Sequence, residues 1–463
     1  MPTMQISGLA SGLDTESIIQ ELMAIERRPV TLLETRKADL DVEYNAWGDV
    51  RTRLTSLQSP LTTLKLSFTF TAKKATSSNE SILTASAGTA ATPGAYTVEV
   101  TSLAKAHVVA SAQGATAPEG GTFAINSQEI SVSAGATLAN VRDAINNAEA
   151  GVTAQLIDDR LVITSNTTGT AGTISFSDDP TTNVLEDLGV LVSGSPNTVQ
   201  SAADAALTIN GLDVIRSTNT ITDLIEGVTI NLKDTTASPV TLTVASDTEA
   251  ITGAVQAFVD QYNSVMDFLA TKMGKTATGE PAELFGDPTA ARIQQQLKQL
   301  VTDRVAGLTA SYTSLADIGI TTADTSATLG FSQAGKLTID TAKLQAALED
   351  DPDAVAALFN SNTGTTKGVA VRLASYVDSL VKYGTGVGAG VINNKQDMIS
   401  EQMKDLEDQI ARWEDRLALR EERLWRQFTA LEQALSTMQA QGIWLSSQIS
   451  SLSGVQASQT SSK

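Results

Sequence analysis

The 463-residue chain exceeds what one compact core organises, and its 41% hydrophobic, 18% charged and 4% aromatic composition suits two to four light folded domains. Without cysteine it has no disulfide, thiolate metal site or cysteine nucleophile, and a lone histidine, His107, excludes a multi-histidine metal centre. The net charge of −20 argues against binding along a nucleic-acid backbone.

That charge is unevenly placed. Residues 1–75 carry 9 basic and 9 acidic side chains, residues 76–390 carry 15 and 33, and residues 391–463 carry 8 and 10. The acidity belongs to the middle, and both ends are nearly neutral. The opening Met1-Pro2-Thr3-Met4-Gln5-Ile6-Ser7 has no basic stretch followed by an apolar one, so an exported protein of this sequence is expected to need no cleaved signal. No run of about 18 apolar residues predicts a membrane span.

The first element is a small-residue loop, Ile6 to Leu13. Asp14 is then placed to cap a helix through Ser17, with Glu16 against the helix dipole and Ile18, Ile19, Leu22 and Ile25 as the apolar stripe. Arg28-Pro29 should interrupt it, since the residue before proline avoids the α region. A second helix carries Leu33, Leu40, Trp47 and Leu54 at intervals of seven; Leu61 continues the series, but Ser59-Pro60 argues against helix there.

The middle reads as β. Tyr96, Val98 and Val100 alternate with polar residues, and Leu138, Val141 and Ile145 mark a short helix. Val152, Ala154 and Leu156 lead through Asp158-Asp159-Arg160 into Leu161 and Ile163 as a hairpin, and Asn210-Gly211 predicts a second, tight one. Val228, Ile230 and Leu232 are expected to pair with Val240, Leu242 and Val244. Helix returns near Asp247 with Ile251, Val255, Phe258, Tyr262, Val265 and Leu269 on one face, again over about Pro288 to Val305, and again at Asp351-Pro352-Asp353, a capped start.

The strongest periodicity lies near the C-terminus. Met403, Ile410, Leu417, Leu424, Leu431, Met438, Leu445 and Leu452 recur every seven residues. Their companions move from one side (Ile399, Leu406, Trp413) to the other (Phe428, Leu435, Ile449), which suits more than one packing neighbour. Helix from about Asn393 to Leu452 would be roughly 90 Å long. The two heptad ends either run side by side as a stalk or each cover a domain of their own; so long an apolar seam favours the stalk.

No catalytic constellation emerges, and no metal or cofactor is expected. Gly274-Lys275-Thr276 lacks the preceding strand and first glycine of a phosphate-binding loop. Gly384, Gly386, Gly388 and Gly390 lie between two helices as a joint. His107 follows a strand with no triad partners in sequence, so an exposed or packing role is expected. The acids Glu349, Asp350, Asp351 and Asp353 lack the glycine and distal glutamate of a calcium loop. What asks for a partner is the apolar seam: Leu33, Leu40, Trp47, Leu54, Ile410, Leu417, Leu424, Phe428, Leu431, Leu435, Met438 and Leu445 form the candidate assembly interface.

Several stretches carry a family resemblance in chain order. They are Ile6-Ser7-Gly8-Leu9-Ala10-Ser11-Gly12-Leu13-Asp14, Arg28-Pro29-Val30, Ala203 to Leu232 with Ser217-Thr218-Asn219-Thr220-Ile221-Thr222-Asp223, Phe258-Val259-Asp260-Gln261-Tyr262-Asn263, Leu315 to Ile320, Asp353 to Phe359 and Gln427 to Glu432. Together they resemble flagellar filament cap proteins of the hook-associated type. Residues 135–176 resemble a β-rich insert recurring in flagellins and hook-associated proteins, while 321–335 depart from the family pattern in being long and Thr/Ala-rich.

The resemblance implies an α+β multidomain fold: a coiled-coil stalk (1–42 and 411–463), a helical leg (43–72 and 249–410), a β-rich head (73–112 and 197–248) and an inserted outer head (113–196). It implies a non-enzymatic homo-oligomer of about five subunits at the distal tip of the flagellum. There it would promote flagellin folding and insertion and prevent loss of subunits. Implied partners are flagellin, the hook-associated junction proteins, the flagellar export apparatus and a cytoplasmic chaperone. A hook–filament junction adaptor and a tip adhesin are the alternatives.

Overall fold

A computed structural model describes residues 12, 14–117, 119–322, 335–384 and 388–459, with side chains to residue 450. The opening loop up to Ser11, Leu13, Gly386, most of the 321–335 stretch and the side chain of Leu452 fall outside the described part.

The elements follow the chain as α1 (Thr15–Glu26), α2 (Arg28–Lys65), α3 (Ser67–Phe70), β1 (Lys73–Ser77), β2 (Leu83–Ala87), β3 (Gly94–Ser102), β4 (Ala106–Ala110), β5 (Gly121–Ile125), β6 (Gln128–Val132) and α4 (Leu138–Asn147). Next come β7 (Val152–Ile157), β8 (Arg160–Thr168), β9 (Phe176–Asp178), α5 (Val184–Asp187), β10 (Leu191–Val192), β11 (Ser195–Pro196), β12 (Thr198–Gln200), β13 (Ala205–Ile209), β14 (Leu212–Arg216), β15 (Thr220–Ile225), β16 (Val228–Leu232) and β17 (Val240–Ser246). The rest is α6 (Thr248–Met273), α7 (Pro288–Thr302), β18 (Ile320–Thr322), β19 (Leu337–Ile339), α8 (Thr341–Asp350), α9 (Pro352–Asn360), β20 (Asn362–Thr363), β21 (Thr366–Lys367), α10 (Val369–Val381) and α11 (Val391–Gln459).

The chain divides into two compact units. One comprises residues 1–65, 255–340 and 357–463; the other comprises 66–254 and 341–356. In the first, α2 packs against α10 and α11, and α1 against α11. Asp14 caps α1, its carboxylate accepting from the Ser17 amide (3.1 Å) and hydroxyl (2.7 Å). The break between α1 and α2 falls at Arg27, placing Pro29 in the first turn of α2, where its missing N–H costs little. Helix then persists through Pro60 to Lys65, contrary to the expectation from Ser59-Pro60. Leu57, Leu61 and Leu64 are fully buried. At about 1.5–3 kcal/mol each, their burial outweighs the roughly 3 kcal/mol that an interior proline costs.

In the second unit two apolar cores form. The first fills the space between the sheet β1-β17-β3-β13-β14 and the sheet β15-β16-β2, from Val98, Val100, Leu207, Leu242 and Val244 to Ile221, Val228, Ile230 and Leu83. The expected pairing of Val228–Leu232 with Val240–Val244 is therefore incorrect. Strand β16 pairs with β15 and β2, whereas β17 pairs with β1 and β3, Leu242 standing opposite Tyr96. Both strands bury every second residue in this one core, but from different sheets. Alternation reports that a strand has one buried face, and says nothing of which edge it pairs through.

The second core is held by the sheet β12-β4-β8-β7, the sheet β6-β5-β9 and α4, with Phe123, Ile125, Val141, Ile145, Leu161 and Ile163 at its centre. Here the hairpin at Asp158-Asp159 closes β7 onto β8, with Ile157 opposite Arg160 and both turn residues at positive φ. Asn210-Gly211 turns β13 into β14 in the same way. Primed turns of this kind match the right-handed twist of the strands.

Candidate assembly interface

The amphipathic patterns of the two chain ends meet in the first unit. Helix α11 runs antiparallel to α1 and α2, and a ladder of ion pairs fixes the register. Lys395 pairs with Glu43 (3.2 Å), Lys37 with Glu407 (2.7 Å), Arg27 with Glu414, and Arg420 lies 3.8 Å from Glu26. Most are exposed and contribute little singly. Lys395 differs. Half-buried, it also reaches Asp287 at 3.0 Å, and Asp287 in turn caps α7 through the amides of Thr289 (2.7 Å) and Ala290 (3.0 Å). Burial alone would lower the Lys395 pKa, but the hydrogen bonds to Asp287 and Glu43 outweigh it and the net direction is up.

Between these charges lies the apolar seam. Ile19, Val30, Trp47 and Leu54 from the N-terminal helices are buried, as are Ile392, Ile399, Leu406, Leu417 and Leu424 from α11. Leu33, Leu40, Ile410, Trp413, Phe428 and Leu435 are half-buried. Grooves remain on either side of the pair: one is lined by Glu34, Lys37, Ala38, Glu407 and Ile410, the other by Leu33, Arg36, Leu40, Gln402 and Leu406.

The twelve-residue interface read from the sequence therefore divides. Trp47, Leu54, Leu417 and Leu424 are buried by the chain's own packing. Leu431 is exposed, and Met438 (65%) and Leu445 (55%) more so. On a helix of 3.6 residues per turn, Leu424, Phe428, Leu431, Leu435, Met438 and Leu445 fall within one stripe, so the seam that α1 begins to cover continues bare along α11. Sequence reading missed Ile443 (72%) and Trp444 (62%), which lie off the stripe and outside the heptad series. Composition offered a signal: residues 427–459 contain a single charged side chain, Glu432. Helix α11 is also longer than expected, 69 residues or about 100 Å.

The model for the flagellar hook-associated protein 2 C-terminus matches residues 202–440, more than half of the chain, and that for the N-terminus of the same protein matches residues 11–107. The chain belongs to the flagellar hook-associated protein 2 family. A flagellin hook IN motif matches residues 121–167, so the recurring insert begins with β5, earlier than the 135 expected. Among hook-associated protein 2 relatives, that of Escherichia coli K12 is 31% identical, aligned over 97% of this chain and 98% of its own. The A-type protein of Pseudomonas aeruginosa is 29% identical, over 97% and 98%. The crystal structure of the flagellar cap protein FliD D1-D2-D3 domains from Escherichia coli superposes with a TM-score of 0.58 at 32% identity, covering 76% of this chain and 99% of that one.

Proposed function

We infer that this chain caps the distal end of a bacterial flagellar filament, promoting the folding and insertion of flagellin and preventing its loss to the medium. The observation that carries the inference is collinearity. Both hook-associated protein 2 regions match in order, and the D1-D2-D3 domains of a flagellar cap protein superpose over 76% of this chain at 32% identity. No observation favours the junction adaptor or the adhesin.

In this reading α1, the start of α2 and α11 from about residue 411 form the stalk, the rest of α2, α6 to α10 and the start of α11 the leg, and the two β cores, the second with α4 and α5, the inner and outer heads. The bare stripe Leu431–Leu445 is the part of the stalk that buries its apolar face only on assembly, against neighbouring copies and flagellin. A homo-oligomer of about five subunits suits such a ring. Before export the same stripe is what a cytoplasmic chaperone would cover, and passage through the flagellar export apparatus needs no cleaved signal. The role is structural, not enzymatic.

Gold-labelled antibody against residues 76–248, imaged on intact flagella, tests the location. Label confined to distal tips supports the cap; label along the shaft or at the hook rejects it.

A further inference from the structure

The only histidine in the sequence is not at the surface. His107 lies within β4, not after a strand as its neighbours suggested, and it is buried. Its Nδ1 accepts from the Ile174 amide (3.0 Å), and its Nε2 faces Thr198 Oγ1 (3.1 Å), which lies 3.3 Å from the Pro196 carbonyl oxygen. An imidazole nitrogen that accepts carries no proton, so the ring is neutral, with its single proton on Nε2 and donated to Thr198.

The place matters as much as the geometry. Lys105 and Ala203 exchange two backbone hydrogen bonds (2.8 and 3.2 Å) where the chain enters and leaves the inserted β module. Gly169 N–H donates to the Lys105 carbonyl (3.1 Å), and Asp204 receives both the amide and the hydroxyl of Thr170 (2.7 Å each). His107 forms the next layer inward, fastening the segment that leads to β9 onto β4 and β12.

We propose that His107 is a pH-sensitive latch at the root of this inserted module, and that a second ring proton, taken up in mild acid, releases Ile174 and loosens the segment 169–178 from β4. The imidazolium has two donors and no acceptor, so the Ile174 amide loses its partner inside the core. Among the described residues the hydrogen-bond partners of the ring, Ile174 and Thr198, are both uncharged and offer no counter-charge. The segments that pair with β4 or hydrogen-bond to the ring, 161–168 of β8, 169–177 and 197–203 around β12, contain no charged side chain. Along the chain the nearest charge is Lys105, just before β4, which would oppose a second cation; Asp204 is engaged by Thr170, and Asp178 Oδ2 accepts from the amides of Leu185 and Glu186. Burial accordingly holds the imidazole below its ordinary value of 6.5. The latch is independent of whether the protein caps filaments.

Hydrogen exchange of the full-length protein between pH 7.5 and 5, corrected for the intrinsic pH dependence of exchange, reads the latch directly. Protection of 170–175 should fall with acid by up to about tenfold per pH unit between the open-state and folded ring values, while α4 stays protected. The single histidine makes its own NMR titration unambiguous, and its midpoint should lie below 6.5. His107→Asn keeps an acceptor for Ile174 and should abolish the pH dependence. A ring titrating at or above 6.5, or acid-independent protection of 170–175 in the wild type, overturns the proposal even where the variant fails to fold. Equal acid sensitivity in a folded His107→Asn does the same.

Discussion

Leu424 and Leu431 stand one heptad apart on the same face of α11, yet the first is 8% exposed and the second 46%. The buried seam of the chain gives out between them. Loss of Leu424 should therefore be felt by the isolated protein, and loss of Leu431 only by the assembly. Leu424→Ala should cost about 2–4 kcal/mol in urea unfolding of the helical unit. Leu431→Asp combined with Met438→Asp should leave that value within about 0.5 kcal/mol, and the β head folded, while abolishing filament capping in a motility assay. Normal swimming by the double variant would remove the stripe from the assembly interface.

Asp287 ties three parts of the helical unit together through its α7 cap and Lys395. Burial raises its pKa, but this is outweighed by the Ala290 amide, Lys395 and the Thr289 amide, and the net direction is down from 3.8. A carboxylate depressed in the folded state gives stability that is fully present above the unfolded value and is lost as pH falls through the folded one. Asp287→Asn should accordingly remove part of the acid sensitivity below about pH 4, at a cost of roughly 1–3 kcal/mol at neutral pH. Acid titration of helix circular dichroism for both proteins checks the sign.

Pro60 interrupts the hydrogen bonding of α2 while its neighbours Leu57, Leu61 and Leu64 stay buried. Pro60→Ala restores an N–H for the carbonyl four residues back and should stabilise by about 1–2 kcal/mol, after the greater freedom of the unfolded chain is subtracted. A lower urea midpoint for the variant would mean that the proline shapes packing that alanine cannot reproduce.

Trp47 is fully buried and its indole N–H has no hydrogen-bond partner among the described residues. Trp47→Phe removes the unpaired donor as well as volume, so it should cost much less than Trp47→Ala, for which about 3–5 kcal/mol is expected. Equal losses in the two variants, measured by chemical denaturation followed by circular dichroism, would show that volume alone matters at this site.

Local features were legible from the sequence because their causes are local. Asp14 and Asp351 cap helices by reaching amides three residues on, and Asn210-Gly211 supplies the positive φ of its turn with its own residues. The family, too, is written in the chain, since its stretches recur in order from residue 11 to 440. Tertiary structure alone decided what depends on the neighbours. Whether β16 pairs with β17 or faces it across the core, whether helix survives Pro60, and whether His107 is wet or latched to Ile174 are set by residues far away in sequence. The heptad repeat reads the same at Leu424 and Leu431, because periodicity records that a face is apolar. Only the reach of α1 and α2 along α11 determines which part of that face the chain covers for itself.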